Sequence, residues 1–172
     1  MMAADAGAAV LETNNDGPKI PDKKKTKFDV IIIGAGPSGY TAGIYCSRAG
    51  YDTLILSGIL PGGQLVNTTE VENYPGFENG IMGPDLMIDM RKQSQRMGTT
   101  IIDDVAVDVD FRRAPYKVLT GSEEYEGRAV IIATGANPRK MGITGEEEFS
   151  GKGVSYCATC DGPFFRNLEL IV

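Results

Sequence analysis

The stretch FDVIIIGAGPSG, residues 28–39, constrains this chain more than any other. A β-branched apolar run ending on glycine reads as a strand of a parallel sheet, buried on both faces. Gly34-x-Gly36-x-x-Gly39 follows it. YTAGIYCSRAG (40–50) then spaces small and apolar residues at helical intervals, with Gly50 as the stop. DTLIL (52–56) is a second buried strand, so residues 28–56 form a β-turn-α-β unit of the expected size, about 30 residues. Each glycine has a task there. Gly34 permits the tight turn, Gly36 lets a pyrophosphate approach the backbone, and Gly39 lets the helix pack close to the strand. The phosphates would rest on the helix N-terminus, where unpaired N–H groups and the dipole favour an anion. This pattern predicts an adenine dinucleotide without separating NAD from FAD. An acid normally closes the second strand and holds the ribose hydroxyls; Ser57 stands there, a weaker partner than a carboxylate.

Residues 57–83 are rich in Gly, Pro, Asn and Thr and read as a long functional loop. PDLMIDMRKQSQRM (84–97) has the period of an amphipathic helix, with Pro84 at its start and Gly98 past its end. TTIID and VAVDVDF are expected to form a strand pair, followed by strand YKVLT and by the buried strand YEGRAVIIATGA (125–136). Residues 137–156 read as connector, and NLELIV (167–172) as the start of another strand. Cys46, Met82, Met87, Met90 and Met97 fit core filling, and Tyr74 and Phe77 are candidates to shield a bound ring.

GVSYCATCDG (153–162) holds two of the three cysteines. Cys157 and Cys160 admit three readings: half of a zinc site, a chance pair of thiols, or a redox pair. Zinc wants four N or S ligands, and the chain offers only Cys46 beyond the pair, with no histidine. A Cys-x-x-Cys pair closes a small reducible disulfide and passes two electrons by thiol exchange. Asp161 beside it disfavours a thiolate, so it makes better sense as a proton donor and acceptor than as an activator.

Composition narrows the classes further. The absence of histidine removes Ser-His and Cys-His nucleophile pairs. A net charge of -6 argues against nucleic acid, and no apolar run is long enough to span a membrane. Three cysteines do not make a secreted disulfide scaffold, and residues 1–27 resemble no leader, so a disordered tail and a cytoplasmic protein are expected.

In chain order, the glycine turn, PGGQLVNTTEVENYPGF, VIIATGA and CATCDG resemble low-molecular-weight thioredoxin reductases over about residues 28–172. The resemblance implies an α/β, Rossmann-like three-layer FAD/NAD(P)-binding fold with an incomplete second nucleotide-binding domain. Residues 28–137 would be the N-terminal part of the FAD domain. Residues 138–172 would be the connector and the start of the NADPH domain that carries the Cys pair. Gly34, Gly36, Pro37 and Gly39 would line the FAD pyrophosphate. Ser57, Gly62, Gly63, Gln64 and Asn73 would follow the ribose, linker and flavin ring, and Thr134 and Gly135 would close the domain near the adenine. Cys160 would face the flavin, Cys157 would attack the partner's disulfide, and Asp161 would relay the proton. Electrons would pass from NADPH through FAD and the pair to thioredoxin or a similar thiol carrier, in a homodimer when full length. One domain would rotate against the other, with a hinge strand near 135–153.

The family's second glycine-rich turn, its basic 2′-phosphate cluster and the return segment of its FAD domain are not among the 172 residues. This chain is therefore expected to be a fragment, with residues 150–172 loosely held, weak or no flavin binding, and no NADPH-linked turnover. Rival readings are the flavoprotein reductase of a peroxidase or other carrier, a reductase fed by ferredoxin or deazaflavin, and a non-catalytic nucleotide-binding redox sensor.

Overall fold

A computed structural model describes residues 25–171. Most of the tail expected over 1–27 lies outside these residues. The leading strand β1 (Lys27–Ile33) runs into helix α1 (Pro37–Arg48), and β2 (Thr53–Leu56) returns beside it. Every residue of β2, Thr53 included, is buried, as a parallel strand covered on both faces requires. The helix begins at Pro37 rather than Tyr40 because proline's fixed φ suits the first helical position.

The loop over 57–83 contains a 3₁₀ turn (Gly63–Asn67) and a small hairpin of β3 (Glu70–Val71) and β4 (Ile81–Met82). Helix α2 (Gly83–Arg96) follows and buries Leu86, Met87 and Met90. Met82, expected in the core, caps that helix and is exposed; Met97, at its other end, is half-buried.

Four more strands complete the main sheet: β5 (Thr100–Ile102), β6 (Ala106–Asp110), β7 (Tyr116–Thr120) and β8 (Glu124–Ile132). The order is β5-β2-β1-β8-β7-β6. The strands β5, β2, β1 and β8 are parallel; β7 and β6 are antiparallel. The expected pairing of TTIID with VAVDVDF is therefore wrong: β5 and β6 lie at opposite edges. Apolar alternation marks both as strands but cannot choose their neighbours, and β5 finds its partner in the buried β2.

The long β8 lies between β7 and β1. Residues 124–127 pair with β7 up to Tyr116↔Gly127, and residues 126–132 pair with β1 from Lys27↔Glu126 through Ile33↔Ile132. A Cβ on Gly127 would stand 2.9 Å from Ile31 Cγ1, so glycine lets the strands cross closely. The sheet carries apolar clusters on both faces. One joins Val30, Ile32, Tyr40 and Ile55 to Leu86, Met87 and Met90 under the helices. The other joins Phe28, Ile31, Leu54 and Leu56 to Val118 and Tyr125 from the antiparallel strands. Helices, parallel strands and antiparallel meander form three layers. Cys46 packs against the first cluster, as expected of a small core residue.

After β8 come a short helix α3 (Ala158–Asp161) and a 3₁₀ turn (Gly162–Phe165). Through Ile171 the expected strand NLELIV is not formed. An apolar run becomes a strand only against a hydrogen-bonding neighbour, and none stands beside it among the described residues.

Candidate functional site

Where β1 ends, Gly34 takes φ 110°, a conformation side chains rarely adopt. Its N–H donates to the Leu56 carbonyl at 2.8 Å, and a Cβ there would lie 2.2 Å from the Ala133 carbonyl oxygen. At Gly39 a Cβ would lie 2.0 Å from the Gly34 carbonyl oxygen. These two glycines are demanded by the protein's own packing. Gly36 is different. It caps α1 with ordinary extended torsions, φ -80° and ψ -172°, and a Cβ on it meets no atom of the described residues within 4 Å. The open space faces the start of α1, where Pro37 occupies the first turn with no acidic residue. A helix start leaves its first N–H groups without intrahelical partners, and an anion satisfies them. This opening fits a pyrophosphate.

The strand ends open into a cavity of about 430 Å³ whose lining includes Gly34, Ser57, Gly63, Gln64, Thr134 and Gly135. That volume falls in the range of cofactor sites, about 300–1,000 Å³. Residues far apart in sequence thus line one opening. Gly62 is held to the glycine turn, its N–H donating to the Ala35 carbonyl at 2.8 Å. Asn73 does not join them: it lies in a separate hollow shaped by its own loop, residues 72–78, beside the tilted rings of Tyr74 and Phe77.

Ser57 is buried, and its hydroxyl donates to Asp103 Oδ1 at 2.6 Å. Arg91 grips the same carboxylate with two bonds of 2.9 Å each. The Arg91 guanidinium first and the Ser57 hydroxyl second hold the Asp103 carboxyl below its ordinary range. An acid does stand beside the end of β2, Asp103 from the end of the neighbouring β5, but it is paired with Ser57 and Arg91 and does not line the cavity. Nothing in the linear sequence marks Asp103, because its relation to Ser57 exists only through β2–β5 pairing. Gln64, also expected at the flavin, donates through Nε2 to the Ala136 carbonyl at 2.9 Å and to Asn137 Oδ1 at 3.2 Å.

Cys157 and Cys160 are joined by a disulfide, with Cα atoms 5.2 Å apart. Cys157 caps α3: its Sγ accepts the Cys160 N–H at 3.2 Å, and its carbonyl accepts the Asp161 N–H at 3.0 Å. Thr159 Oγ1 lies 3.4 Å from that sulfur. Ser155, not foreseen from the sequence, closes the turn. Its hydroxyl accepts the Cys157 N–H at 3.0 Å and donates to Asp161 Oδ2 at 2.5 Å. A hydroxyl residue two places before a Cys-x-x-Cys is the one signal that could have found it. Cys160 is exposed and Cys157 half-buried. The structure does not bring the pair to the cavity, whose lining ends in sequence at Asn137.

Glu146, buried at 3% exposure, organises the connector. Its carboxylate accepts the N–H groups of Met141 (2.8 Å), Gly142 (2.5 Å) and Ile143 (3.3 Å) and the Tyr156 hydroxyl (2.7 Å). The tyrosine hydroxyl first, then the backbone donors, hold its carboxyl below the usual range. Sequence reading missed it because an acidic Gly-Glu-Glu-Glu run looks like solvated surface.

Comparison with known proteins agrees with this architecture. Residues 28–172 match the family described as pyridine nucleotide-disulphide oxidoreductase. A thioredoxin reductase from Rickettsia bellii is 52% identical over 148 residues, 86% of this chain and 48% of that one. One from Listeria monocytogenes is 56% identical over 147 residues, 84% of this chain and 45% of that one. The crystal structure of thioredoxin reductase from Streptococcus pyogenes superposes with TM-score 0.76 at 40% identity, covering 83% of this chain and 46% of that chain. A ferredoxin-flavin thioredoxin reductase from Clostridium acetobutylicum superposes with TM-score 0.60 at 28% identity, over 82% and 48% of the two chains. The chain spans about half the length of the curated relatives it matches. With its glycine turn, Rossmann-like sheet and vicinal disulfide, this chain belongs to the pyridine nucleotide-disulphide oxidoreductase family.

Proposed function

We propose that this chain is part of a flavin-dependent disulfide oxidoreductase that passes electrons from a reduced donor through FAD and the Cys157–Cys160 disulfide to thioredoxin or a similar carrier. One observation carries the reading: a solvent-accessible vicinal disulfide, flanked by a hydrogen-bonded carboxylate, shares a chain with an open dinucleotide turn. The division is read as a flavin-holding unit over 28–137 and, from 138 on, a segment opening a second unit. NADPH is the donor this reading takes; the ferredoxin-flavin neighbour keeps a second donor class in play.

Bound FAD would supply two-electron redox chemistry. The chain's own residues do the rest. Gly34, Gly36, Pro37 and Gly39 receive the pyrophosphate; Ser57, Gly62, Gly63 and Gln64 lie along the cavity that would hold the rest; Thr134 and Gly135 line its far side. Asn73 would reach the ring only from the neighbouring hollow. Cys157 is read as the thiol that attacks the carrier's disulfide, and Cys160 as its resolving partner. In each exchange the leaving sulfur takes the bonding electron pair and a proton, which Asp161 is read as handing over and taking back. No helix among the described residues is long and apolar enough to cross a membrane. A cytoplasmic homodimer is part of the reading.

Trapping tests it. Cys160→Ser leaves Cys157 free and is expected to hold oxidised thioredoxin as a mixed disulfide, whereas Cys157→Ser is not. No trapping by either variant, or equal trapping by both, overturns the assignment.

A further inference from the structure

The Ser155 hydroxyl stands among three polar partners of the redox turn. It accepts the Cys157 N–H at 3.0 Å, donates to Asp161 Oδ2 at 2.5 Å, and lies 3.3 Å from the Cys157 carbonyl oxygen. A hydroxyl has one hydrogen to donate and two lone pairs to accept with. While Asp161 is ionised, the hydrogen goes to the nearer acceptor, the carboxylate, and one lone pair holds Cys157.

Once Asp161 carries a proton, the same geometry works in reverse. The carboxyl O–H donates to Ser155 Oγ, which still accepts the Cys157 N–H on its other lone pair. The serine hydrogen then turns to the Cys157 carbonyl. The Ser155 hydroxyl keeps a partner for its hydrogen and for its lone pairs in both protonation states, and the acid need not move between them. A residue with only donors or only acceptors could satisfy one state and would repel the other.

We propose that Ser155 is a positioning residue of the disulfide exchange: it keeps Asp161 aimed at the redox turn both with and without its proton. The inference rests on reading residues 157–161 as a redox centre with Asp161 as its proton relay.

The exchange to measure is reduction of the Cys157–Cys160 disulfide by dithiothreitol in the 172-residue chain. One dithiothreitol sulfur attacks the pair, the protein S–S bond breaks, and the departing thiolate is protonated. The second dithiothreitol sulfur then closes its ring and releases the other thiol, so two electrons pass from reductant to protein. Acid quenching and alkylation count the thiols against time.

With general acid assistance lost, Asp161→Asn is expected to slow the exchange by about a hundredfold. Loss of its aim in Ser155→Ala is expected to slow it by about tenfold. The double variant should be no slower than Asp161→Asn alone, because Ser155 acts through that carboxylate. Ser155 is exposed, so Ser155→Thr has room for its methyl and, keeping the hydroxyl, should recover most of the rate. A serine needed only for folding would instead slow the double variant further than Asp161→Asn. Far-UV circular dichroism of each variant checks that the fold is kept.

The two ideas fail separately. If the wild-type pair cannot be reduced and reoxidised at all, the redox reading falls. If it cycles and Asp161→Asn is slow, but Ser155→Ala runs at the wild-type rate or the two effects multiply, the inference about Ser155 alone is overturned.

Discussion

Three glycines share one turn, and the structure separates what each is for. At Gly39 an added Cβ would sit 2.0 Å from the Gly34 carbonyl oxygen, against the 3.4 Å at which ordinary contact begins. The difference, 3.4 less 2.0, is about 1.4 Å, and it must be taken up by backbone of the sheet's inner strand or by α1. Overpacking of this kind costs about 1–3 kcal/mol, and a rigid backbone obstacle puts Gly39→Ala near the upper end. At about 2–4 °C per kcal/mol for a chain of this size, the melting temperature should fall by about 6–12 °C. Gly36→Ala meets no atom and keeps torsions open to any residue, so its stability should match wild type or exceed it by about 0.4–1 kcal/mol. Its cost falls on the ligand instead. A methyl in the opening would hold a pyrophosphate off the first N–H groups of α1, losing charge-assisted bonds worth about 1.5–3 kcal/mol. That is about a ten- to hundredfold weakening of FAD binding. Circular dichroism melts and titration of FAD fluorescence measure the two effects on the same samples. If Gly39→Ala melts with wild type, or Gly36→Ala loses comparable stability, the packing argument is refuted. FAD binding that survives Gly36→Ala unchanged removes the pyrophosphate from this turn.

Two more outcomes follow from buried polar groups. The Tyr125 hydroxyl is fully buried with no hydrogen-bond partner among the described residues, so Tyr125→Phe should stabilise the fold by about 1 kcal/mol; a lower melting temperature would show a hidden partner. Glu146→Gln should loosen the connector and lower the melting temperature, or speed amide exchange at Met141–Ile143. The Glu146 carboxyl is held below its ordinary value of 4.5, so its contribution is full above that value and drains away as pH falls through the lower folded value. The gap between Glu146→Gln and wild type should therefore close in acid; a gap that persists unchanged would rule out the carboxylate as the clamp.

Much of the site was legible because its signals are local. The β1-turn-α1 glycines declare themselves through backbone conformation and close approach, which neighbouring residues impose on one another. The Cys-x-x-Cys spacing likewise permits a disulfide within a single turn. Asn73 shows the limit: sequence order placed it with the cavity, but the hairpin of β3 and β4 folds its loop into a hollow of its own. The same limit governs β5 and β6, adjacent in sequence yet at opposite edges of the sheet.

By itself the sequence determined the strand-turn-helix start, the open turn at Gly36, the amphipathic α2 and the pair of sulfurs, since each depends on periodicity or on a few consecutive torsions. Tertiary structure alone decided that Asp103 would meet Ser57, that β8 would lie between β1 and β7, and that Glu146 would be buried rather than solvated. Those outcomes turn on which surfaces meet, and a hydrophobic pattern says which residues seek burial without saying against what.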